Sequence, residues 1–253
     1  MKNQYVGDIG DYGKFGLLRF LANHDIMIGV NWYLTENDRR TDGEIRKYLN
    51  DGKENGEKCY DADLFEKLKP IAEKKKDERN IIDVETNEII PNAVFFNEPL
   101  KVPEEYRTRW YRRSMDALSD ADLVFADPDN GFLVSCKNLY RPNGIKYASI
   151  AELKEYYDRG QDVVCYCHKG RRKDDDWNAQ LEAFNYNVGH NAKTFVLTFH
   201  RGTQRSFVFA IHPEREKLYN DLLVAFIHTK WGTHKVTGKR IPFTLDKTPA
   251  NSD

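Results

Sequence analysis

A chain of 253 residues, 40% hydrophobic and 13% aromatic, has enough apolar material for one large domain that buries roughly 70–75% of its unfolded surface. Its 39 basic and 40 acidic residues leave a net charge of −1, so bulk charge points neither to nucleic acid nor to a membrane surface. No run approaches the ~20 apolar residues that span a bilayer, residues 1–11 do not read as a signal peptide, and the four cysteines lack framework spacing, so the expected location is cytoplasmic.

The opening stretch, MKNQYVGDIGDYGKFGLLRFL, places four glycines and two aspartates between residues 6 and 16. Ordering so many glycines costs entropy, which implies a backbone that must come close to something. GDIGDYGK reads as a glycine-rich turn delivering Asp11 and Lys14 to a site, with a helix over 14–23 anchoring it. Residues 26–34 (IMIGVNWYL) form a continuous apolar run, as a buried strand would, and Asp42 reads as the cap of a further helix.

Residues 50–92 are rich in Lys, Glu and Asp and hold one amphipathic stretch, 63–76, interrupted by Pro70. This reads as a charged helical insertion or lid within an α/β domain spanning 1–240, with 241–253 as a tail. Strands are expected at 93–96, 121–126, 162–167, 194–198 and 207–211, and helices at 104–118, 150–159, 177–185 and 213–229. The alternation implies a largely parallel sheet covered on both faces, with the last two strands as an antiparallel hairpin at its edge. Cys165 and Cys167 share one face of their strand, where small apolar side chains belong; CYCH lacks the spacing of a zinc site.

In open α/β sheets, ligands bind beyond the carboxyl ends of the strands. Three polar clusters sit there: TENDRRTDG after the first strand, Asp127-Pro128-Asp129-Asn130-Gly131 after the third, and His168-Lys169-Gly170-Arg171-Arg172 after the fourth. PDNG is good turn chemistry, yet a turn does not require two carboxylates directly behind a buried strand. His168 and His200 each end a predicted strand beside arginines, and Arg201 and Arg205 flank a turn at Gly202, where phosphate contact is one reading. Trp110, among the arginines of YRTRWYRR, reads as packing beneath a surface helix.

VGDIGDYGKFGLL resembles the N-terminal motif of bacterial large-subunit ribosomal RNA adenine N6-methyltransferases of the J type, approximately A-G-N-x-A-D-V-x-K-H. Gly7, Asp11 and Lys14 fall on its glycine, aspartate and lysine; Asp8 stands at its asparagine and Phe15 at its histidine. TENDRRTDG follows in the place of that family's cofactor loop, ADPDNG in the place of Asp-Pro-Pro-Tyr, and GTQRSFVFAIHPE parallels its late turn, strand and Asn-Pro-Pro. The resemblance implies a Rossmann-like methyltransferase sheet, S-adenosylmethionine as cofactor and an amino group of a nucleic-acid base as acceptor.

It implies Asp127, Pro128, Asp129, Asn130 and Lys14 at the reacting end, with Phe132 a second stacking candidate besides its core role. It also implies Gly7, Asp11, Glu36, Asp38, Asp42 and Gly43 around the cofactor; apart from the resemblance, the basic clusters offer His168, Lys169, Arg171, Arg201 and Arg205 toward substrate phosphate. A different class is carried by the same acids. Asp8, Asp11, Asp127 and Asp129 would hold Mg²⁺ or Mn²⁺ in a phosphodiesterase or nuclease, with His168 in proton transfer. A third reading is a non-catalytic relative that only binds a nucleotide or partner. Oligomeric state is not legible from the residues.

Overall fold

In the computed structural model the described residues are 1–38, 42–50, 56–101, 104–133, 139–141, 143–170 and 172–246. Arg171, Cys136 and the arginines of TENDRRTDG therefore lie outside the described residues.

The first helix, α1 (Ile9–Ala22), starts five residues before its expected position, because the Asp8 carboxylate caps it by accepting from Gly10 N at 2.9 Å. GDIGDYGK is thus mostly helix, not a free turn. Gly10, Gly13 and Gly16 recur every third residue along α1, and a Cβ there would meet Tyr166, the Phe199 ring and the Trp231 indole at 3.0, 2.5 and 2.3 Å. The glycines let α1 lie directly on those aromatic rings.

The strand β1 (Ile28–Asn31) follows, and then Gly43, at φ +82°, stands where a helix capped by Asp42 was expected; a short 3-10 turn at Lys47–Asn50 is all that forms. The helices α2 (Ala62–Glu73, with Pro70 inside) and α3 (Ile82–Thr86) lead to β2 (Ala93–Phe96), α4 (Glu104–Ala117) and β3 (Leu123–Ala126). Then come β4 (Gly131–Leu133), β5 (Tyr147–Ser149), α5 (Ile150–Asp158) and β6 (Asp162–Cys167). The chain continues through α6 (Asp174–Val188), the β7 (Lys193–Phe199) to β8 (Arg205–Ile211) hairpin, α7 (Glu216–His228), α8 (Lys230–Thr233) and β9 (Phe243–Asp246).

Seven strands form one mixed sheet in the order β2-β1-β3-β6-β8-β7-β9. β2, β1, β3 and β6 are parallel neighbours, while β8 pairs antiparallel with both β6 and β7, and β9 antiparallel with β7. The hairpin is therefore internal, and β9, within the expected tail, supplies that edge. β4 and β5 pair parallel as a separate two-stranded ribbon.

Alternate residues of each strand feed two cores. Ile28, Val30, Leu123, Phe125 and Val164 join the layer built from α1, α2, α7 and α8. Val124, Ala126, Val163 and Cys165 join the layer of α4, α5 and α6. Burial on both faces is why these strands read as unbroken apolar runs. Cys165 and Cys167 are core residues; Trp110 packs between Tyr33 and Phe96, and Phe132 against Phe184.

The insertion keeps its charges on an outer face, but its apolar stripe (Leu64, Phe65, Leu68, Ile71) is part of the first core. Arg19 of α1 ties it down, bonding Asp61 at 2.9 Å, Asp63 at 2.7 Å and the Ile89 carbonyl at 2.8 Å. Residues 56–92 line none of the cleft described below. Among the described residues, no helix is long and apolar enough to cross a membrane.

Candidate active site

Register places Asn31 beside Ala126, so β1 and β3 end level with one another. From β1 the sheet order runs to β2 on one side, while β3 begins the other half, so the strand order reverses between β1 and β3. A crevice at such a reversal is where open α/β sheets bind ligands. Here it opens into a cleft of about 590 Å³ whose walls come from the start of α1, residues 42–45, the turn 127–130 after β3, the end of β6 and the β7–β8 turn.

Its floor is a buried ion triad. The Lys14 ammonium donates to Asp11 Oδ1 at 2.9 Å and to Asp127 Oδ2 at 2.6 Å, and lies 4.8 Å from the Tyr166 ring centroid. Lys14 is 1% and Asp127 2% exposed. Burial alone would strip the proton from Lys14, but the two flanking carboxylates outweigh it and hold its pKa above the ordinary lysine value. Two carboxylates on one ammonium leave a net negative charge in a dry site. Burial accordingly pushes the Asp11 carboxyl up to about 6 against the pull of Lys14, with Asp127 adding to the rise.

Above the triad, the turn 127–129 presents acceptors to an amine. The Met1 amino group donates to the Asp127 carbonyl at 2.9 Å and to the Tyr33 carbonyl at 3.2 Å, and pairs with Asp129 Oδ1 at 2.9 Å. Burial acts to raise the Asp129 pKa, yet that amino group and Lys2 outweigh it and hold the carboxyl below its usual value. Tyr33 sits at φ +42°, a left-handed conformation costly for a bulky residue, with its N–H bonded to Asn31 Oδ1 at 3.1 Å. Strain of this kind at a strand end beside a cleft directs the Tyr33 carbonyl inward. Burial and nearby Arg205 keep His168 neutral, lowering its pKa to about 3.

The structure brings together most of the residues expected at the reacting end and rearranges the rest. Asp8, Asp11, Lys14, Asp42, Gly43, Asp127, Pro128, Asp129, Asn130, His168 and Arg205 all line the cleft. Gly7 does not. Its φ of +84° and the Ala72 contact place it under α2, where its N–H donates to Asp11 Oδ2 at 3.2 Å. Glu36 is exposed outside the cleft, and Asp38 holds Lys2 and Gln4 instead of facing it. Arg201 is no phosphate ligand, because it is buried against the fully buried Glu57, which Lys239 also contacts at 2.8 Å. Lys169 pairs with Asp174 at a shallow depression sharing Asn130 and His168 with the cleft. His200 bonds Thr244 on β9 at 2.8 Å.

Sequence reasoning missed Met1, Tyr5, Tyr33, Glu44, Ile45, Lys146 and Tyr166. Tyr166 alone carried a signal, as the aromatic two residues before His168 at a strand end.

The four carboxylates of the metal reading already face donors of the chain. Asp8 accepts from Gly10 N and Ile45 N at 2.9 Å each; Asp11 and Asp127 share Lys14; Asp129 pairs with Met1. Among the described residues, no three His, Cys, Asp or Glu side chains are grouped to hold an ion.

The two perturbed groups oppose each other in pH. Asp11, raised in the folded state, contributes stability that is present below its unfolded pKa and is lost as pH rises through about 6. His168, depressed in the folded state, has the reverse effect: stability is lost as pH falls through its unfolded value near 6.5. Between pH 7.5 and 5 the wild type should therefore change Tm little. The Asp11→Asn variant should lose more Tm than wild type on acidification over that window, and His168→Gln less, as read by thermal melts. Equal slopes for all three would place both groups in ordinary solvent.

The chain matches no protein-family model and no curated protein.

Proposed function

We propose that this protein transfers a methyl group from S-adenosylmethionine to an amino group of a nucleic-acid base, on a Rossmann-like methyltransferase sheet in the cytoplasm. The observation that carries the reading is the amine bracket at the end of β3. There the Asp127 carbonyl accepts from the Met1 amino group at 2.9 Å and the Asp129 carboxylate forms an ion pair with the same group at 2.9 Å, beside the strand-order reversal.

The residues after β1 fit a methyl donor. Asp42 is a carboxylate of the cleft suited to hydroxyl or ammonium groups, and the cleft's volume of about 590 Å³ suits a nucleoside-sized ligand. The donor would supply an electrophilic methyl on a sulfonium. The chain's residues do the rest: two acceptors take the two N–H bonds of the acceptor amine, so that its lone pair is aimed and not solvated. Lys14 fixes the Asp127 side chain and with it the turn that carries both acceptors. Tyr166 and Tyr5 give the cleft aromatic walls for a planar base, and Arg205 and Lys146 lie at its lip as cations.

The test is a thermal melt with S-adenosylhomocysteine, followed by transfer of labelled methyl from S-adenosylmethionine to RNA and DNA oligonucleotides. Stabilisation by S-adenosylhomocysteine, with base-labelling abolished by Asp129→Ala, is the expected result. No stabilisation at saturating ligand, together with stabilisation by Mg²⁺ or Mn²⁺, would overturn it in favour of phosphodiester chemistry.

A further inference from the structure

Beside the cleft lies a second hollow of about 470 Å³, lined by Asn130, Tyr147, His168, Lys169, Gly170 and Arg172. It shares Asn130 and His168 with the cleft, so the two spaces adjoin. Their linings differ in charge. The cleft carries the carboxylates of Asp8, Asp11, Asp42, Glu44, Asp127 and Asp129 against the side-chain cations of Lys14, Lys146 and Arg205. Among the described residues, the hollow is lined by two cations and no carboxylate. Gly170 stands at φ +61°, and a Cβ there would meet nothing within 4 Å, so the chain leaves this space open. Arg172 folds back on the chain that leaves β6. Its N–H reaches the Lys169 carbonyl at 3.3 Å, and its Nη1 donates to the His168 and Lys169 carbonyls at 2.6 and 3.3 Å. The Nε–Nη2 edge of that guanidinium, the Asn130 amide and the Tyr147 hydroxyl have no partner among the described residues. Lys169 is paired with the exposed carboxylate of Asp174.

We propose that this hollow holds a phosphate group of the nucleotide whose base enters the cleft, an inference that rests on the nucleic-acid part of the reading above. An ionised phosphate accepts hydrogen bonds and is anionic, and the hollow offers donors for it: a guanidinium edge, an ammonium, an amide and a phenol. The cleft offers the opposite. Its carboxylates repel a phosphate, while they suit an amino group or a cationic methyl donor. A nucleotide therefore has one orientation that satisfies both spaces, with its base toward the turn 127–130 and its phosphate past Asn130. Arg172 is the main ligand, because the unused edge of its fork can grip two phosphate oxygens at once. Lys169 contributes less, since Asp174 already shares its charge.

The test is calorimetric titration of the full chain, in saturating S-adenosylhomocysteine, with adenosine, adenosine 5′-monophosphate and a short single-stranded oligoadenylate. At least one of the phosphate-bearing ligands should bind about tenfold tighter than adenosine, and Arg172→Gln should remove most of that gain, as loss of a charge-assisted contact requires. Lys173→Gln, which removes an exposed cation outside the hollow, should leave the gain unchanged. A gain by the oligomer alone assigns the hollow to a phosphodiester, and an equal gain by the mononucleotide assigns it to a terminal phosphate; both bear out the phosphate site. Three equal affinities, or a gain that the two variants reduce alike, would overturn it. The S-adenosylhomocysteine melt reads methyl transfer separately. A phosphate gain without that stabilisation keeps the hollow and removes the methyl donor. Stabilisation with no binding of the three ligands overturns the hollow and the nucleic-acid acceptor together.

Discussion

Replacing Lys14 with methionine should lower folding stability by about 3–5 kcal/mol, a fall in Tm of roughly 10 °C for a domain of this size. The variant keeps most of the side-chain volume but leaves the Asp11 and Asp127 carboxylates facing each other with no cation between them. Breaking one member out of a buried ion group costs far more than the group contributes as a whole, because the remaining charges stay buried and unpaired. The pH dependence separates this cause from simple loss of packing. Two carboxylates in one dry site hold a shared proton tightly, so the variant should regain much of its lost stability between pH 7 and 5. Urea melts at both pH values measure it. A loss under 1 kcal/mol at pH 7.5, or a loss equal at both pH values, would mean that water already reaches the triad.

Gly7→Ala should cost about 2–5 kcal/mol, from two separable causes. At φ +84° any L-residue takes on roughly 1–2 kcal/mol of backbone strain. The new methyl would also stand 2.3 Å from Ala72 Cβ and 2.8 Å from Ala72 Cα, and backbone of α2 cannot turn aside as a flexible side chain could; overpacking of this kind adds about 1–3 kcal/mol. Gly160→Ala is the internal control, since its φ is +96° and a Cβ there meets nothing within 4 Å. Its loss should match the backbone part alone. Chemical denaturation of both variants gives the difference directly, and equal losses would show that α2 moves away from α1 without cost.

The strands were the most legible part of the chain. β2 and β6 lie where the apolar runs place them; β6, covered on both faces, admits few polar residues and so marks its own ends. The helices α4 and α5 also start where expected, but α1 does not. Nothing in the run from Asp8 to Gly13 resembles a helix former by propensity; α1 extends through it because Asp8 caps it and because Phe199 and Trp231 press on its glycines. Asp42 shows the opposite error. It has the chemistry of a cap, but Gly43 at φ +82° turns the chain away.

At the site, Asp127, Asp129 and Lys14 were legible because their types and their place after a strand or beside the glycines are unusual for a core. Arg201 and Asp38 were misassigned because charge says nothing of its partner. Arg201 found Glu57 from 144 residues away, and Asp38 found Lys2 and Gln4. Tyr33 and Met1 carry no local signal at all. One is set by a backbone dihedral and the other by where the first residues come to lie.

The sequence by itself determined the α/β alternation, the two-faced burial of the sheet and the acids that gather at the end of β3, since these follow from local periodicity and from residue type. Tertiary structure alone decided that the glycines face aromatic rings, that β9 closes the sheet edge and that Lys14 sits between two carboxylates. It also decided that Met1 and Tyr5 line the cleft. Each of these is a contact between segments far apart in the chain, and its energy comes from desolvation and close approach that neither segment expresses alone.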